Sequence, residues 1–277
     1  MKTRFQETAV LDSVQQGSAP EAAPSSAGSL VLRGVSKTYR VDGKPLQVLQ
    51  DIDLAVEPGE FVTMVGTSGC GKSTILRLVV GLDDAYDGEI FLDGRQITGP
   101  GLERSIVFQE HRLLPWLTVE QNIAIALDAT GQTREARARL VHDHIGLVGL
   151  RGFEKAYPRQ LSGGMAQRTA IARGLVTRPE ILLLDEPLGA LDSLTRSYLQ
   201  QELLRIWRQE KVSVVMVTHD VEEAVFLSDK IVVLTPRPGR IKKVIPIDLP
   251  HPRNRVDPAF SQIRQEVLEY LSADYTI

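Results

Sequence analysis

The residues Gly66-Thr67-Ser68-Gly69-Cys70-Gly71-Lys72-Ser73-Thr74 have the composition of a phosphate cradle and fit the pattern G-x-x-x-x-G-K-[ST]. Glycines let a backbone curl until successive N–H groups face one phosphate chain, and a helix starting there adds its positive end. Lys72 supplies charge for outer phosphates, and Ser73 a hydroxyl for Mg²⁺. The stretch Ile181-Leu-Leu-Leu-Asp185-Glu186-Pro187 offers the complementary half: Asp185 to hold Mg²⁺ through water, Glu186 to polarise an attacking water. Alone, an apolar run ending in Asp-Glu-Pro reads as a core strand entering a surface turn. Beside the glycine-rich loop it reads as the metal-and-water half of one site. Ser162-Gly163-Gly164 opens a further helix whose free N–H groups form a second anion site. No Asn-Lys-x-Asp tetrapeptide is present, which disfavours a Ras-like GTPase.

These residues need particular elements to hold them. Phe61 to Val65 reads as a buried strand feeding the glycine-rich loop, and Lys72 to about Val80 as the helix behind it. Strand-like alternation runs through Leu30 to Ser36 and Val48 to Val56, and Glu89 to Leu92 is a strand closed by an Asp93-Gly94 turn. Ser105 to Phe108 is another short strand. Between about Leu117 and Val176 the texture is helical, with expected helices over Glu120–Ala129, Thr133–Val148 and Gly164–Val176. Strand and helix then alternate again: Ile181–Asp185, Ser193–Gln209, Val214–Val217, Val221–Leu227 and Ile231–Leu234. A basic hairpin, Thr235 to Ile241, and a helix near Pro258 to Leu271 follow. Strands interleaved with helices on both sides of a helical insertion predict an α/β core carrying a helical lobe. The expected division is a disordered leader over 1–28, a main unit over 29–260 with its helical lobe at about 117–176, and a C-terminal helix over 261–277.

Composition narrows the function classes. The 277 residues are 43% hydrophobic and 24% charged, ordinary for a globular protein and against a fibrous or wholly disordered chain. A net charge of -3, from 32 Lys+Arg against 35 Asp+Glu, gives no electrostatic argument for nucleic acid. The single cysteine, Cys70, excludes an intrachain disulfide and fits a reducing compartment. Apolar runs are strand-length, well short of the roughly 18 residues of a membrane span. Lys2 and Arg4 have no apolar stretch behind them, so a secretory signal is not expected and the cytosol is.

Leu161-Ser162-Gly163-Gly164-Met165-Ala166-Gln167-Arg168, shortly before the Asp-Glu strand, resembles the signature motif of ATP-binding subunits of ABC transporters. Other motifs of that family follow in order, and the resemblance spans about Leu30 to Ile247. It implies an α/β fold of P-loop NTPase, ABC-cassette type: a RecA-like core with an antiparallel β subdomain and a helical subdomain. It implies ATP and Mg²⁺ as ligands, held by Gly66 to Thr74, with Ser73, Gln109 and Asp185 toward the metal. Glu186, His219 and Gln109 would then carry hydrolysis. Tyr39 resembles the aromatic residue that stacks on adenine, a strand-end tyrosine being the plain alternative. Asp192, in Gly189-Ala-Leu-Asp192, resembles the loop that communicates across a head-to-tail homodimer. In that dimer each ATP lies between one glycine-rich loop and the other subunit's Ser162, Gly163 and Gly164. Ala166 departs from the longer polar residue many relatives carry, and altered packing or dimer contacts are expected there.

Leu113-Leu114-Pro115-Trp116, with Pro236-Arg-Pro-Gly-Arg-Ile241 and Leu249-Pro-His-Pro-Arg253, is similar to the branch that imports aliphatic sulfonates, taurine and nitrate, the sulfonate importers resembling it most. Trp116 is read as either a packing residue or a partner contact. The resemblance implies two integral-membrane permease subunits, a periplasmic or extracellular substrate-binding protein, and a peripheral position on the cytoplasmic face of the membrane. A β-rich regulatory domain like that of sugar-importer relatives is not expected after the cassette. A soluble cassette ATPase acting on DNA or ribosomes is the competing class, but the Lys72 to Ser162 interval is too short for the coiled coil such proteins carry. A binding-only module is opposed by Lys72, Asp185, Glu186 and His219 occurring together.

Overall fold

The computed structural model describes residues 28–272, so the expected leader lies outside the described residues except for Gly28. The first elements are β1 (Leu30–Val41), β2 (Lys44–Val56), β3 (Phe61–Val65), α1 (Lys72–Val79), β4 (Asp87–Leu92), β5 (Arg95–Gln96) and β6 (Arg104–Val107). The helical lobe follows, with α2 (Val119–Ala124) running into a tighter turn at Ile125–Leu127, then α3 (Arg134–Leu147) and α4 (Gly163–Leu175). The chain returns to alternation through β7 (Ile181–Asp185), α5 (Ser193–Glu210), β8 (Ser213–Thr218), α6 (Val221–Leu227), β9 (Lys230–Leu234), β10 (Ile241–Pro246) and α7 (Pro258–Ser272).

Two sheets result. One is antiparallel, ordered β2-β1-β4-β5; the other is ordered β10-β9-β3-β8-β7-β6. In the second, β9, β3, β8, β7 and β6 run parallel and only β10 is antiparallel. Strands buried on both faces read as continuous apolar runs, as Ile181-Leu-Leu-Leu does. Their alternation divides the core: Leu182 and Leu184 face the helical lobe, α6 and α7, while Ile181 and Leu183 face α1 and the antiparallel sheet. α5 is pinned by Trp207, whose ring meets Phe61 edge-on at 5.5 Å and whose Nε1 donates to the Gly59 carbonyl at 3.1 Å.

Turn chemistry explains where elements stop. Asp42-Gly43 and Asp93-Gly94 all have positive φ, the paired left-handed residues that a two-residue hairpin needs. The first of these joins β1 to β2 and extends both beyond the alternation read from sequence. The helix expected to run to Ala129 ends at Ala124 and tightens, because Thr130 Oγ1 and N–H both turn back to the Leu127 carbonyl. The basic hairpin is present, and its exit forms β10, an edge strand not foreseen. α7 begins at Pro258, inside the stretch assigned to the main unit, and buries Phe260 and Val267 in that unit's core.

The antiparallel sheet is tied to the main sheet by a carboxyl pair. The Asp93 carboxylate accepts from the N–H groups of Gly28 and Ser29 at 2.9 Å. Burial, then the hydrogen bond and negative charge of Asp93, push Glu180 from its ordinary 4.5 up to about 7. The folded protein therefore holds the Glu180 proton more tightly than the unfolded chain. That contribution to stability is complete below about pH 4.5 and is lost as pH rises through about 7. Glu180→Gln, which keeps a donor toward Asp93 without a titrating proton, should flatten this part of the profile. Urea unfolding at pH steps from 4.5 to 7.5 measures it, and an unchanged slope in the variant would remove Glu180 as its source.

Candidate functional site

Strand register brings the singled-out residues to one edge. Val107 pairs with Leu184, Asp185 with Val217, and Val65 with Thr218, so four parallel strands end in line. The residues that follow them start loops at that edge: Phe108 and Gln109 after β6, Glu186 after β7, His219 after β8 and Gly66 after β3. Carboxyl ends of parallel strands are where open α/β sheets place ligand sites.

Gly69 and Gly71 have φ of 77° and 108°, a left-handed path that residues with a Cβ rarely take, and Gly71 leads directly into α1. Lys72 is 6% exposed, yet its ammonium meets only carbonyls, those of Gly66 at 2.8 Å and Thr67 at 3.1 Å. A buried cation satisfied by neutral oxygens at a helix N-terminus suits an anion. Ser73 Oγ donates to Asp185 Oδ1 at 2.8 Å. Burial pushes the Asp185 carboxyl up, against the opposing hydrogen bond from Ser73. A hydroxyl beside one carboxylate is an oxygen pair of the kind Mg²⁺ takes when phosphate and water complete its shell. No group of three or more His, Cys, Asp or Glu able to hold a metal exists among the described residues.

Glu186 sits at φ 47°, uncommon for a residue with a side chain and fixed by its N–H bonding to the Val217 carbonyl at 3.0 Å. Its Oε2 accepts from His219 Nδ1 at 3.0 Å. An ionised carboxylate only accepts, so Nδ1 carries the proton, and Nε2 has no protein partner among the described residues. The Gln109 amide nitrogen and Glu186 Oε2 lie 3.5 and 3.7 Å from where a Cβ on Gly189 would stand. Lys72, Ser73, Asp185, Glu186, His219 and Gln109 thus share one edge.

Tyr39 lies on β1, its hydroxyl donating to Asp83 Oδ2 at 2.9 Å with the Lys37 ammonium 4.7 Å from its ring centre. Burial and the Asp83 hydrogen bond raise its pKa, while the Thr74 hydroxyl of α1 opposes that rise. The ring is therefore held against the end of the glycine-rich loop. Asp192 caps α5 through Thr195 N–H at 3.0 Å.

Ser162, Gly163 and Gly164 are not joined to this edge by any hydrogen bond among the described residues. Ser162 caps α4 through Met165 N–H at 3.3 Å, and the glycines face Leu191 and Thr195. Beside them Leu194 and Tyr198 are 82% and 52% exposed. Ala166 is buried in the core under this helix, so its departure is met in packing.

Several residues that shape the site were not singled out in the sequence. Asn122, fully buried, accepts from Leu114 N–H at 2.8 Å and donates to the carbonyls of Leu114, Leu117 and Thr118. Arg173 donates to the carbonyls of His111 and Arg112 at 2.9 Å. Together they fix the loop from Gln109 to Leu117, leaving Trp116 69% exposed. An asparagine one turn into a helix and an arginine near a helix end carry no pattern that announces such partners. Arg237 and Gly239 belonged to the basic hairpin but not to the loop they support. Arg237 Nε donates to the Gly69 carbonyl at 3.3 Å, and a Cβ on Gly239 would overlap the Cys70 carbonyl oxygen.

Gly239→Ala therefore forces the hairpin or the glycine-rich loop to shift. Overpacking of this kind costs about 1–3 kcal/mol. Nucleotide affinity should fall on the order of tenfold, with folding retained, by equilibrium dialysis and circular dichroism. Unchanged affinity would show that the hairpin yields and the loop does not.

The family model described as ABC transporter matches residues 49–189. An aliphatic sulfonates import ATP-binding protein of Bacillus licheniformis is 53% identical over 241 residues, covering 87% of this chain and 93% of that one. Its counterpart in Bacillus subtilis is 51% identical over 232 residues, covering 84% and 90%. Among solved structures, a dimeric ATP-binding cassette in a post-hydrolysis state with ADP and phosphate superposes with a TM-score of 0.69 at 30% identity, over 79% of this chain and 99% of that one. With the glycine-rich loop, the Asp185-Glu186 turn and the Ser162-Gly-Gly helix start in their places, the chain belongs to the ABC transporter family of ATP-binding cassettes.

Proposed function

We propose that this chain is the ATP-hydrolysing subunit of a membrane importer of aliphatic sulfonates, working as a head-to-tail homodimer beneath two permease subunits. The observation that carries the mechanism is the split between two anion sites. The glycine-rich loop gathers Lys72, Asp185 and Glu186 at one edge, whereas Ser162, Gly163 and Gly164 begin a helix on an exposed face with no ligand of their own chain. A second copy supplies the missing half. The sulfonate cargo rests on the likeness to the Bacillus importer subunits. The permease and the extracellular or periplasmic binding protein follow from that role.

ATP would lie with its phosphates over residues 66–74 and its adenine on Tyr39, whose ring Asp83 and Lys37 orient. Ser73, Asp185 and Gln109 would hold Mg²⁺, which supplies charge neutralisation on the outer phosphates. Glu186 orients the attacking water and takes up its proton, and His219, hydrogen-bonded to it through Nδ1, steadies that carboxylate beside the outer phosphate. Asp192 fixes the start of α5 at the dimer contact. The exposed Trp116 on its pinned loop fits a permease contact better than core packing. No helix among the described residues is long and apolar enough to cross a membrane, in keeping with peripheral attachment to its cytoplasmic face through the permease. The negative net charge does not favour nucleic acid as partner.

Glu186→Gln should keep ATP binding and lose turnover by about 10²–10⁴-fold, since positioning carries most of phosphoryl transfer. That variant should accumulate an ATP-dependent dimer in light scattering, and adding Ser162→Arg should abolish the dimer while each monomer still binds ATP. Dimerisation indifferent to Ser162 would overturn the sandwich. Transport by the reconstituted importer, compared for alkanesulfonates, taurine and nitrate, decides the cargo.

A further inference from the structure

A cleft of about 590 Å³ opens between α5, α6 and the segment 252–255, away from every residue assigned to hydrolysis. It falls inside the roughly 300–1,000 Å³ range of small-molecule sites. Its wall carries Arg205, Arg208, Arg253 and Arg255 and no carboxylate, over a floor of Leu204, Phe226 and Pro252.

The four guanidinium groups are unequally satisfied. Arg205 pairs with Glu202 at 2.8 Å, and Arg255 pairs with Glu222 at 2.8 Å while lying 4.0 Å from the centre of the Phe226 ring. Arg253 is only 6% exposed and donates to the neutral carbonyls of Leu249, Val225, Ser228 and Ile247 at 3.1, 2.7, 2.5 and 3.4 Å, which leaves one of its five N–H groups uncommitted. Desolvation lowers its pKa to about 10, with Asp229 opposing, so it remains charged at neutral pH. Arg208 is exposed and has no hydrogen-bond or ion-pair partner among the described residues. A buried guanidinium held by neutral oxygens, with an unpaired one at the mouth, leaves the cleft positive.

We propose that this cleft binds a small organic anion with a short alkyl body, its head on Arg208 and Arg253 and its tail over Leu204 and Phe226. Sulfonate and carboxylate heads share this chemistry. The assignment rests on the cleft alone and does not depend on what the importer carries.

The test uses the full chain saturated with ADP and Mg²⁺, so that the glycine-rich loop is already filled. Titration calorimetry with 1-hexanesulfonate and with hexanoate should show one site for at least one of them, and their ratio identifies the preferred head. Hexanol and inorganic sulfate should each bind on the order of tenfold or more weakly than that anion. Arg208→Glu, an exposed change, should weaken the anion by about tenfold or more with ADP affinity unchanged, and Arg208→Lys should restore most of it. Binding indifferent to Arg208→Glu, sulfate equal to the alkyl anion, or no binding of either would each overturn the proposal. So would Arg208-dependent binding to phosphatidylglycerol vesicles without binding of the soluble anions, which would make the cleft a lipid-surface contact.

Discussion

Parallel pairing of β6, β7, β8 and β3 in a common register sets everything else in this protein. Because Val107, Leu184, Val217 and Val65 lie on neighbouring rungs, the residues just past them are delivered to one edge whatever the intervening chain does. Between β6 and β7 that intervening chain is the whole helical lobe; between β7 and β8 it is α5. The groups proposed to hold a phosphate chain, orient a water and meet the outer phosphate are far apart in sequence and come together because backbone hydrogen bonds, not side-chain contacts, place them. The strain at Glu186 is tolerated for the same reason. Its N–H is fixed to β8, and the strand beneath it is buried on both faces.

How far the sequence could be read follows from the range of the interactions involved. Local signals were sufficient for the glycine-rich loop, for the Ile181–Asp185 and Val221–Leu227 elements, and for the Asp93-Gly94 turn, since glycine freedom, apolar runs and capping act over a few residues. The Asp42-Gly43 turn carries the same signal, with both residues at positive φ. β10 was not legible because Lys242 and Lys243 interrupt it, leaving no apolar run longer than Val244-Ile245, and it forms only when β9 offers a free edge. Helix α2 was read too long because its end is set by carbonyl bonds at Leu127 and not by a change in polarity.

The same limit applies to the site. Lys72, Asp185 and Glu186 could be named from spacing, whereas supports of the glycine-rich loop and of Tyr39 come from across the chain. Arg237 reaches Gly69 from a hairpin distant in sequence, and Asp83 steadies Tyr39 from the turn after α1. Neither residue has a type that is rare or a spacing that repeats. Their roles exist only once the two sheets are packed.

The loop clamped by Asn122 and Arg173 has a mechanical meaning. Gln109 stands at its root beside Glu186, and Trp116 stands near its tip in solvent, with every turn between them bonded to the helical lobe. Such a segment transmits displacement as a lever does and does not absorb it as a spring would. The carboxamide of Asn122 is the coupling between that segment and the lobe. A sideways load at the indole would turn the lobe about the sheet edge, and any turn of the lobe would swing the indole in return.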